Sequence, residues 1–238
     1  MSADSDPIGW WINLITLGQR ENELWHMARS GRLTASSVSI AVDKLNKGGP
    51  VNYAAIAQNV YTSKQRNSFT TAAMRWGIEH EKTALETYKE HYPNMNVIEK
   101  GLCIDRKESE YVACSPDGIA IDLKTGETIL LEVKCPFSVR DCNNIHRAIA
   151  NGKIPWLQKF PATKNKPAQI TINRLQNSQG RSYYNQIQTS LKILDLNRCH
   201  LIVWTPRSCL VLNVPRSALW ETETWLHLKR IGEELHCK

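Results

Sequence analysis

The chain has 238 residues, 42% of them hydrophobic, and its 30 lysines and arginines against 23 aspartates and glutamates leave a net charge of +7. That length and apolar content can bury one substantial core, and the surplus of positive charge suits a polyanionic partner. The polar, acidic start is no secretory signal, no apolar run approaches the roughly 20 residues of a membrane span, and seven cysteines show neither a C-x-x-C pair nor zinc spacing. The expectation is a soluble, intracellular protein with reduced thiols, in nucleus or cytoplasm.

Ile8 to Leu17 and Glu21 to Ala28 read as short helices around Gly18. Thr34 or Ser36 can cap a helix reaching about Lys44, before a break at Lys47-Gly48-Gly49-Pro50, and Tyr53 to Tyr61 is a further helix. Thr70 to Tyr92 is the strongest helical pattern and stops before Pro93. Strands follow at Val97 to Ile104, Tyr111 to Cys114, Ile119 to Leu123 and Thr128 to Lys134. A helix from Arg140 to Ala150 comes next, then a hairpin near Gln169 to Arg174 within a Pro- and Lys-containing stretch. A helix from Ser182 to Leu194, strands Cys199 to Thr205 and Cys209 to Val214, and a helix from Ser217 to about Leu235 complete the chain. This order predicts an α/β (α+β) fold with a central mixed β-sheet flanked by helices. One domain is expected, with a helical part over about residues 1–65 and a core over about 66–238.

The two strands around Lys124-Thr125-Gly126-Glu127 form the most informative segment. With Thr125-Gly126 as a two-residue loop, Lys134 lies opposite Asp117 and Glu132 opposite Ile119, one diagonal step from Asp117. Opposed residues share a face at about 5 Å and diagonal ones at about 7–8 Å. Asp117, Glu132 and Lys134 therefore point one way and Leu131 and Val133 the other, and a one-residue slip would break the set. Two carboxylates around one point repel unless a cation sits between them, and oxygen ligands suit Mg²⁺ or Mn²⁺. A lysine beside them can orient a water or neutralise charge on a phosphate oxygen. Without further context the same residues are an alternating face of a surface hairpin.

Two other patterns bear on the site. In the Thr70 to Tyr92 helix an apolar stripe runs through Met74, Ile78, Leu85 and Tyr88, and Glu81 falls on it. A carboxylate on a buried face is costly unless paired or bound to metal. From Arg140 to Arg181, eight basic residues, Lys166 among them, face a single acid, Asp141. That cluster suits phosphates.

Ser115-Pro116-Asp117-Gly118 followed by Leu131-Glu132-Val133-Lys134-Cys135-Pro136, with Glu132 fifteen positions after Asp117, resembles the PD-(D/E)XK nucleases. Within them it looks like the lambda-exonuclease-like, YqaJ-type viral recombinase branch. Further stretches match that branch in order: Trp25-His26 with Arg29 and Leu33-Thr34-Ala35-Ser36; Arg75-Trp76-Gly77 through Glu81; Tyr183-Tyr184-Asn185-Gln186-Ile187-Gln188; and Val203-Trp204-Thr205-Pro206. The resemblance implies a PD-(D/E)XK restriction-endonuclease-like core. It also implies a metal-dependent exonuclease that digests double-stranded DNA ends 5′ to 3′ and leaves 3′ tails for recombination or repair. By the same resemblance, Asp117 shares two Mg²⁺ or Mn²⁺ ions, Glu132 and the Val133 carbonyl complete one site, and Glu81, rather than Glu79, supports the other. Lys134 with Gln186 activates the attacking water, and Arg29 with Ser36 holds a 5′-phosphate, with Arg32 as competitor. Arg32, Arg140 and Arg147 are candidate DNA backbone contacts. A homotrimer and a single-strand annealing partner are implied as well. Trp76, Trp204 and the histidines are taken as structural, His80 facing away from Glu81. The alternatives are an endonuclease or structure-specific nuclease on the same core, or a non-catalytic DNA-binding protein.

Overall fold

A computed structural model describes residues 7–45, 50–66, 70–105, 108–164 and 167–237. The break at Lys47-Gly48-Gly49, Lys166 and the acidic start fall outside these residues. In the N-terminal part, α1 (Pro7–Ile15) and α2 (Glu23–Arg29) flank Gly18, which takes a φ of +80°. Asn22 caps α2 by accepting the Leu24 N–H at 2.9 Å. A short strand, β1 (Leu33–Thr34), turns into α3 (Val38–Leu45) through a reciprocal cap between Thr34 and Ser37. Next come α4 (Tyr53–Arg66) and α5 (Ala72–His91); Thr71 caps α5 by accepting the Met74 N–H.

The middle of the chain holds β2 (Met95–Ile98), β3 (Cys103–Asp105), β4 (Ser109–Cys114), β5 (Gly118–Asp122) and β6 (Thr128–Lys134). The single strand expected over 97–104 is instead two, in different sheets. The break has a tertiary cause, because α1 docks there: the Leu102 N–H donates to Thr16 Oγ1 at 2.8 Å, and a Cβ on Gly101 would lie 2.3 Å from the Asn13 carbonyl oxygen. Only glycine lets the chain pass that close. After β6 come α6 (Ile145–Ala150), the hairpin β7 (Leu157–Phe160) and β8 (Gln169–Ile172), and α7 (Ser178–Leu194). The helix expected from Arg140 is thus shorter, preceded by a 3-10 turn over Phe137–Val139. The chain closes with β9 (Arg198–Thr205), β10 (Ser208–Pro215), α8 (Ala218–Trp220), a π-helical turn at Glu221–Trp225 and α9 (Leu226–His236).

The principal sheet has the order β10-β9-β6-β5-β2, with β6 and β9 parallel and the other pairs antiparallel. The segment joining those parallel strands carries α7, the crossover that such a pair requires. The resulting α/β core has helices on both faces of this sheet. On one, Leu130, Leu201 and Val203 pack against Ile187 and Leu191 of α7. On the other, Leu131, Val133, Ile202 and Trp204 pack against Ala84 and Tyr88 of α5. A second sheet, β1-β4-β3, is covered by α3, α4 and α9, so the helical N-terminal part also supplies a strand, pairing Leu33 and Thr34 in parallel with Val112 and Ala113. Among the described residues no helix is long and apolar enough to cross a membrane.

The central hairpin departs from its expected register by two residues. Gly118 pairs with Leu131 and Ile119 with Leu130, which brings Asp117 opposite Glu132 rather than Lys134. The turn is longer because Asp122 builds it: its side chain accepts the Lys124 N–H at 2.8 Å and its carbonyl accepts the Gly126 N–H at 2.7 Å. Side chains alternate with a period of two, so a two-residue shift keeps Asp117, Glu132 and Lys134 on one face.

Candidate functional site

Glu132 and Lys134 project from the α7 face of β6, and Asp117 stands at the start of β5 beside them. Glu132 is only 1% exposed. A buried carboxylate without partners costs several kcal/mol; here the Lys134 ammonium donates to Glu132 Oε1 at 2.5 Å and Gln186 Nε2 donates to the same oxygen at 2.7 Å. Gln186, from α7, also accepts from Lys134 at 3.4 Å, and the Lys134 ammonium lies 4.6 Å over the Tyr183 ring. Asp117 Oδ2 accepts the Val133 N–H at 2.6 Å, just beyond the end of the β5–β6 ladder. Each carboxylate thus commits one oxygen to the protein. Asp117 Oδ1 and Glu132 Oε2 accept no hydrogen bond from the described residues.

The electrostatics follow from this crowding. Burial first, then Glu132 and Glu81, holds the Asp117 carboxyl well above the usual carboxylate range, against Lys134 and the Val133 N–H. Glu81 is raised by burial and by Glu132, with Arg20 and Lys134 opposing. For Lys134, burial works against the charge, but Glu132 and Asp117 outweigh it and hold the ammonium above its ordinary value. Three mutually repelling acids are what a divalent cation would relieve, and oxygen donors are the chemistry that Mg²⁺ or Mn²⁺ prefers. Yet among the described residues no three His, Cys, Asp or Glu side chains are gathered closely enough to form a metal cluster by themselves. The reason is topological: Glu81 comes from α5, on the opposite face of the sheet from Glu132 and Gln186. The open oxygens of Asp117 and Glu132 fit an ion; Glu81 stands across from them.

All these groups line one cleft of about 780 Å³. The α5 stripe divides along its length. Ala84 and Tyr88 are buried in the core, whereas Met74 and Ile78 are exposed on the cleft wall next to Glu81.

The cleft continues to a second cluster. Arg29, at the end of α2, stacks over Trp25 with 4.0 Å between guanidinium and ring. It donates to Ser115 at 3.3 Å and to Ser36 at 3.5 Å, while Trp25 Nε1 donates to Ser115 at 2.8 Å. Burial, then neighbouring Arg20, lowers the Arg29 pKa to about 10, and no carboxylate among the described residues is ion-paired with it. A desolvated guanidinium flanked by hydroxyls has the chemistry to bind an anion. Sequence reasoning found Arg29 and Ser36 and missed Ser115, although the Ser-Pro-Asp order puts it two residues before Asp117. Gln19 and Arg20 were missed as well, and both line the cleft. Gln19 has a φ of +44° and donates to the Pro116 carbonyl at 2.8 Å, steadying the turn into Asp117.

Other expected contacts lie elsewhere. Arg32 donates to the carbonyls of Glu110 and Ala28, which turns its guanidinium away from the cleft. Arg140 folds over the Phe137 ring at 4.2 Å and pairs with Asp141. Arg147 is exposed because α6 buries the opposite face, Ile145, Ala148 and Ile149. None of the three lines the cleft; of the basic segment, Lys153 does. Trp204 is buried in the core, and Trp76 and His80 stack on each other at 3.7 Å, as structural residues.

The sequence from residue 24 to 196 matches the YqaJ-like viral recombinase domain. No curated protein matches the chain. Among solved structures, the fold is similar to LHK-Exo, an alkaline exonuclease from Laribacter hongkongensis, in its complex with dAMP: 24% identity over 91% of this chain and 93% of that one, with a TM-score of 0.59. It is also similar to the Shutoff and Exonuclease Protein from Kaposi's sarcoma-associated herpesvirus: 12% identity over 96% of this chain and 72% of that one, with a TM-score of 0.56.

Proposed function

We propose that this chain, which belongs to the YqaJ-like viral recombinase domain family, is a divalent-metal-dependent exonuclease on duplex DNA ends. It digests one strand from the 5′ end and leaves 3′ single-stranded tails for recombination or repair. The observation that carries the reading is the presence, in one cleft, of the acid–lysine–glutamine group around Asp117 and the anion cluster around Arg29. The fold neighbour LHK-Exo, an alkaline exonuclease solved with dAMP, is consistent with it.

In this reading Arg29, Ser36 and Ser115 hold the terminal 5′-phosphate, and the scissile phosphodiester lies beside Asp117 and Glu132. The open oxygens Asp117 Oδ1 and Glu132 Oε2, with the Val133 carbonyl, would hold Mg²⁺ or Mn²⁺, Asp117 shared between two ions, and Glu81 would complete the set directly or through water. When bound, such ions neutralise phosphate charge and lower the pKa of water. Lys134 is a hydrogen-bond donor while Glu132 and Asp117 keep it charged, and it orients the attacking water. Neutralising those carboxylates removes the cause of its upward shift, so the ammonium can release its proton to solvent and the neutral amine can then accept one from the water. Gln186 bridges Glu132 and Lys134 and fixes the angle of the ammonium. The same reading extends to a homotrimer and to an annealing partner, which sedimentation and co-purification test.

End-labelled linear duplexes carrying 5′-phosphate or 5′-hydroxyl ends, alongside closed circles, test the assignment. Release of nucleotides from phosphorylated linear ends first, with circles intact, is the expected result. Circles cut as fast as linear DNA would turn the assignment to an endonuclease.

A further inference from the structure

We propose that Cys103 and Cys114 form a redox-active dithiol, which a two-electron oxidant of the peroxide class converts to a disulfide beside the phosphate-binding cluster. The two residues are directly opposed in the antiparallel β3–β4 pair, and among the described strand pairings no other cysteine faces a cysteine. Opposed Cα atoms in such a pair are about 4.5 or 5.5 Å apart. Either spacing lies within the roughly 4.4–6.8 Å that a disulfide spans. The two thiols, with Ala35, form a small core cluster of their own.

The pair is asymmetric. Cys103 Sγ accepts from Asn13 Nδ2 of α1 at 3.1 Å and retains 9% exposure, whereas Cys114 is fully buried. The neighbouring Cys114 thiol, with help from Lys100 and Asn13, brings the Cys103 thiol below its ordinary value; the same pairing, with burial, pushes Cys114 up. Cys103 is the attacking thiol and Cys114 the resolving one. The Cys103 thiolate attacks one peroxide oxygen: an S–O bond forms, the O–O bond breaks, and the departing hydroxide takes up a proton to become water. Cys114 then attacks the sulfenic sulfur: the S–S bond forms, the S–O bond breaks, and the Cys114 proton leaves with the hydroxide as a second water. Two thiols are oxidised and one peroxide is reduced.

The consequence follows from the neighbours. Cys114 precedes Ser115, which receives hydrogen bonds from Trp25 and Arg29, and Ala35, in the same buried cluster as the two cysteines, precedes Ser36. Closing the S–S bond to about 2 Å moves the two thiols against Ala35, and the coupling proposed is that this shifts the adjoining Ser115 and Ser36 hydroxyls. A misplacement near 1 Å can cost about a hundredfold in rate.

The full chain, reduced or treated with hydrogen peroxide, is analysed by peptide mass mapping and by digestion of 5′-phosphorylated duplex. The expected result is a monomer lighter by two hydrogens, with a Cys103–Cys114 linked peptide. Digestion falls at least about tenfold towards the rate of 5′-hydroxyl ends and returns with a thiol reductant. Cys103→Ser and Cys114→Ala should each lose the linkage and the sensitivity. Absence of the linked peptide when exposed Cys237 has been oxidised overturns the dithiol, and a linked peptide with unchanged digestion overturns its coupling to the site. The digestion arm rests on the proposed nuclease activity; a reduced protein that digests nothing refutes that activity, while the mass arm still decides the dithiol.

Discussion

Replacing Arg29 probes the anion cluster most sharply. Its hydrogen bonds to Ser115 and Ser36, at 3.3 and 3.5 Å, are at the weak end of the range, and its cation rests on Trp25 with no carboxylate ion-paired among the described residues. A terminal phosphate would exchange those two weak bonds for two short, charge-assisted ones. At about 1.5–3 kcal/mol for each bond to a charged group, less what is given up, the fork contributes about 3 kcal/mol, or two powers of ten. Arg29→Ala should therefore shrink the rate advantage of 5′-phosphate over 5′-hydroxyl ends about a hundredfold. Arg29→Lys keeps the charge but loses the planar fork, and should shrink it about tenfold. Initial rates on matched duplexes give the ratio, and melting curves of each variant guard against a folding defect. A folded Arg29→Ala protein that keeps the wild-type ratio would refute the phosphate assignment.

Two predictions concern titration. Asp117 has a folded pKa above its unfolded one, so its ionisation costs stability once pH rises through that interval. Asp117→Asn, which can still accept the Val133 N–H, should stabilise the cation-free protein at neutral pH by on the order of 1 kcal/mol in urea unfolding while abolishing digestion; lower stability would count against a crowded acid site. His200 is the opposite case: burial, then Arg198, lowers its pKa to about 4, and it hydrogen-bonds the Tyr88 hydroxyl at 2.8 Å. Its contribution is complete above the ordinary histidine value of about 6.5 and is lost as pH falls towards 4, by about 2 kcal/mol after allowance for partial solvation. His200→Gln should flatten the pH dependence of stability across that window, and an unchanged slope would contradict the burial argument.

Much of the architecture was legible where the cause is local. Thr71 and Pro93 bracket α5, and the alternation along β6 separates Leu131 and Val133 from Glu132 and Lys134. The hairpin register was misjudged because Asp122 organises a longer turn than Thr125-Gly126 suggests, yet the error was even in residues and left Asp117, Glu132 and Lys134 on one face. What stayed hidden depends on distant chain. The strand break at Gly101 needs α1, some 85 residues earlier; the choice of Arg29 over Arg32 depends on the carbonyls of Ala28 and Glu110; and the dispersal of the basic segment depends on which face α6 buries. Glu81 lay on the apolar stripe as read, but the stripe could not tell that its N-terminal half, Met74 and Ile78, would line a cleft.

The central claim is that Lys134, held between Glu132 and Gln186, drives metal-dependent digestion of duplex ends. The direct measurement is nucleotide release from a 5′-phosphorylated duplex by wild type and Lys134→Ala, each with Mg²⁺ or with EDTA, alongside duplex binding. The account predicts that release by wild type requires Mg²⁺ and that Lys134→Ala loses at least about a hundredfold while still binding DNA. Equal release by the variant, or wild-type release undiminished in EDTA, would contradict it.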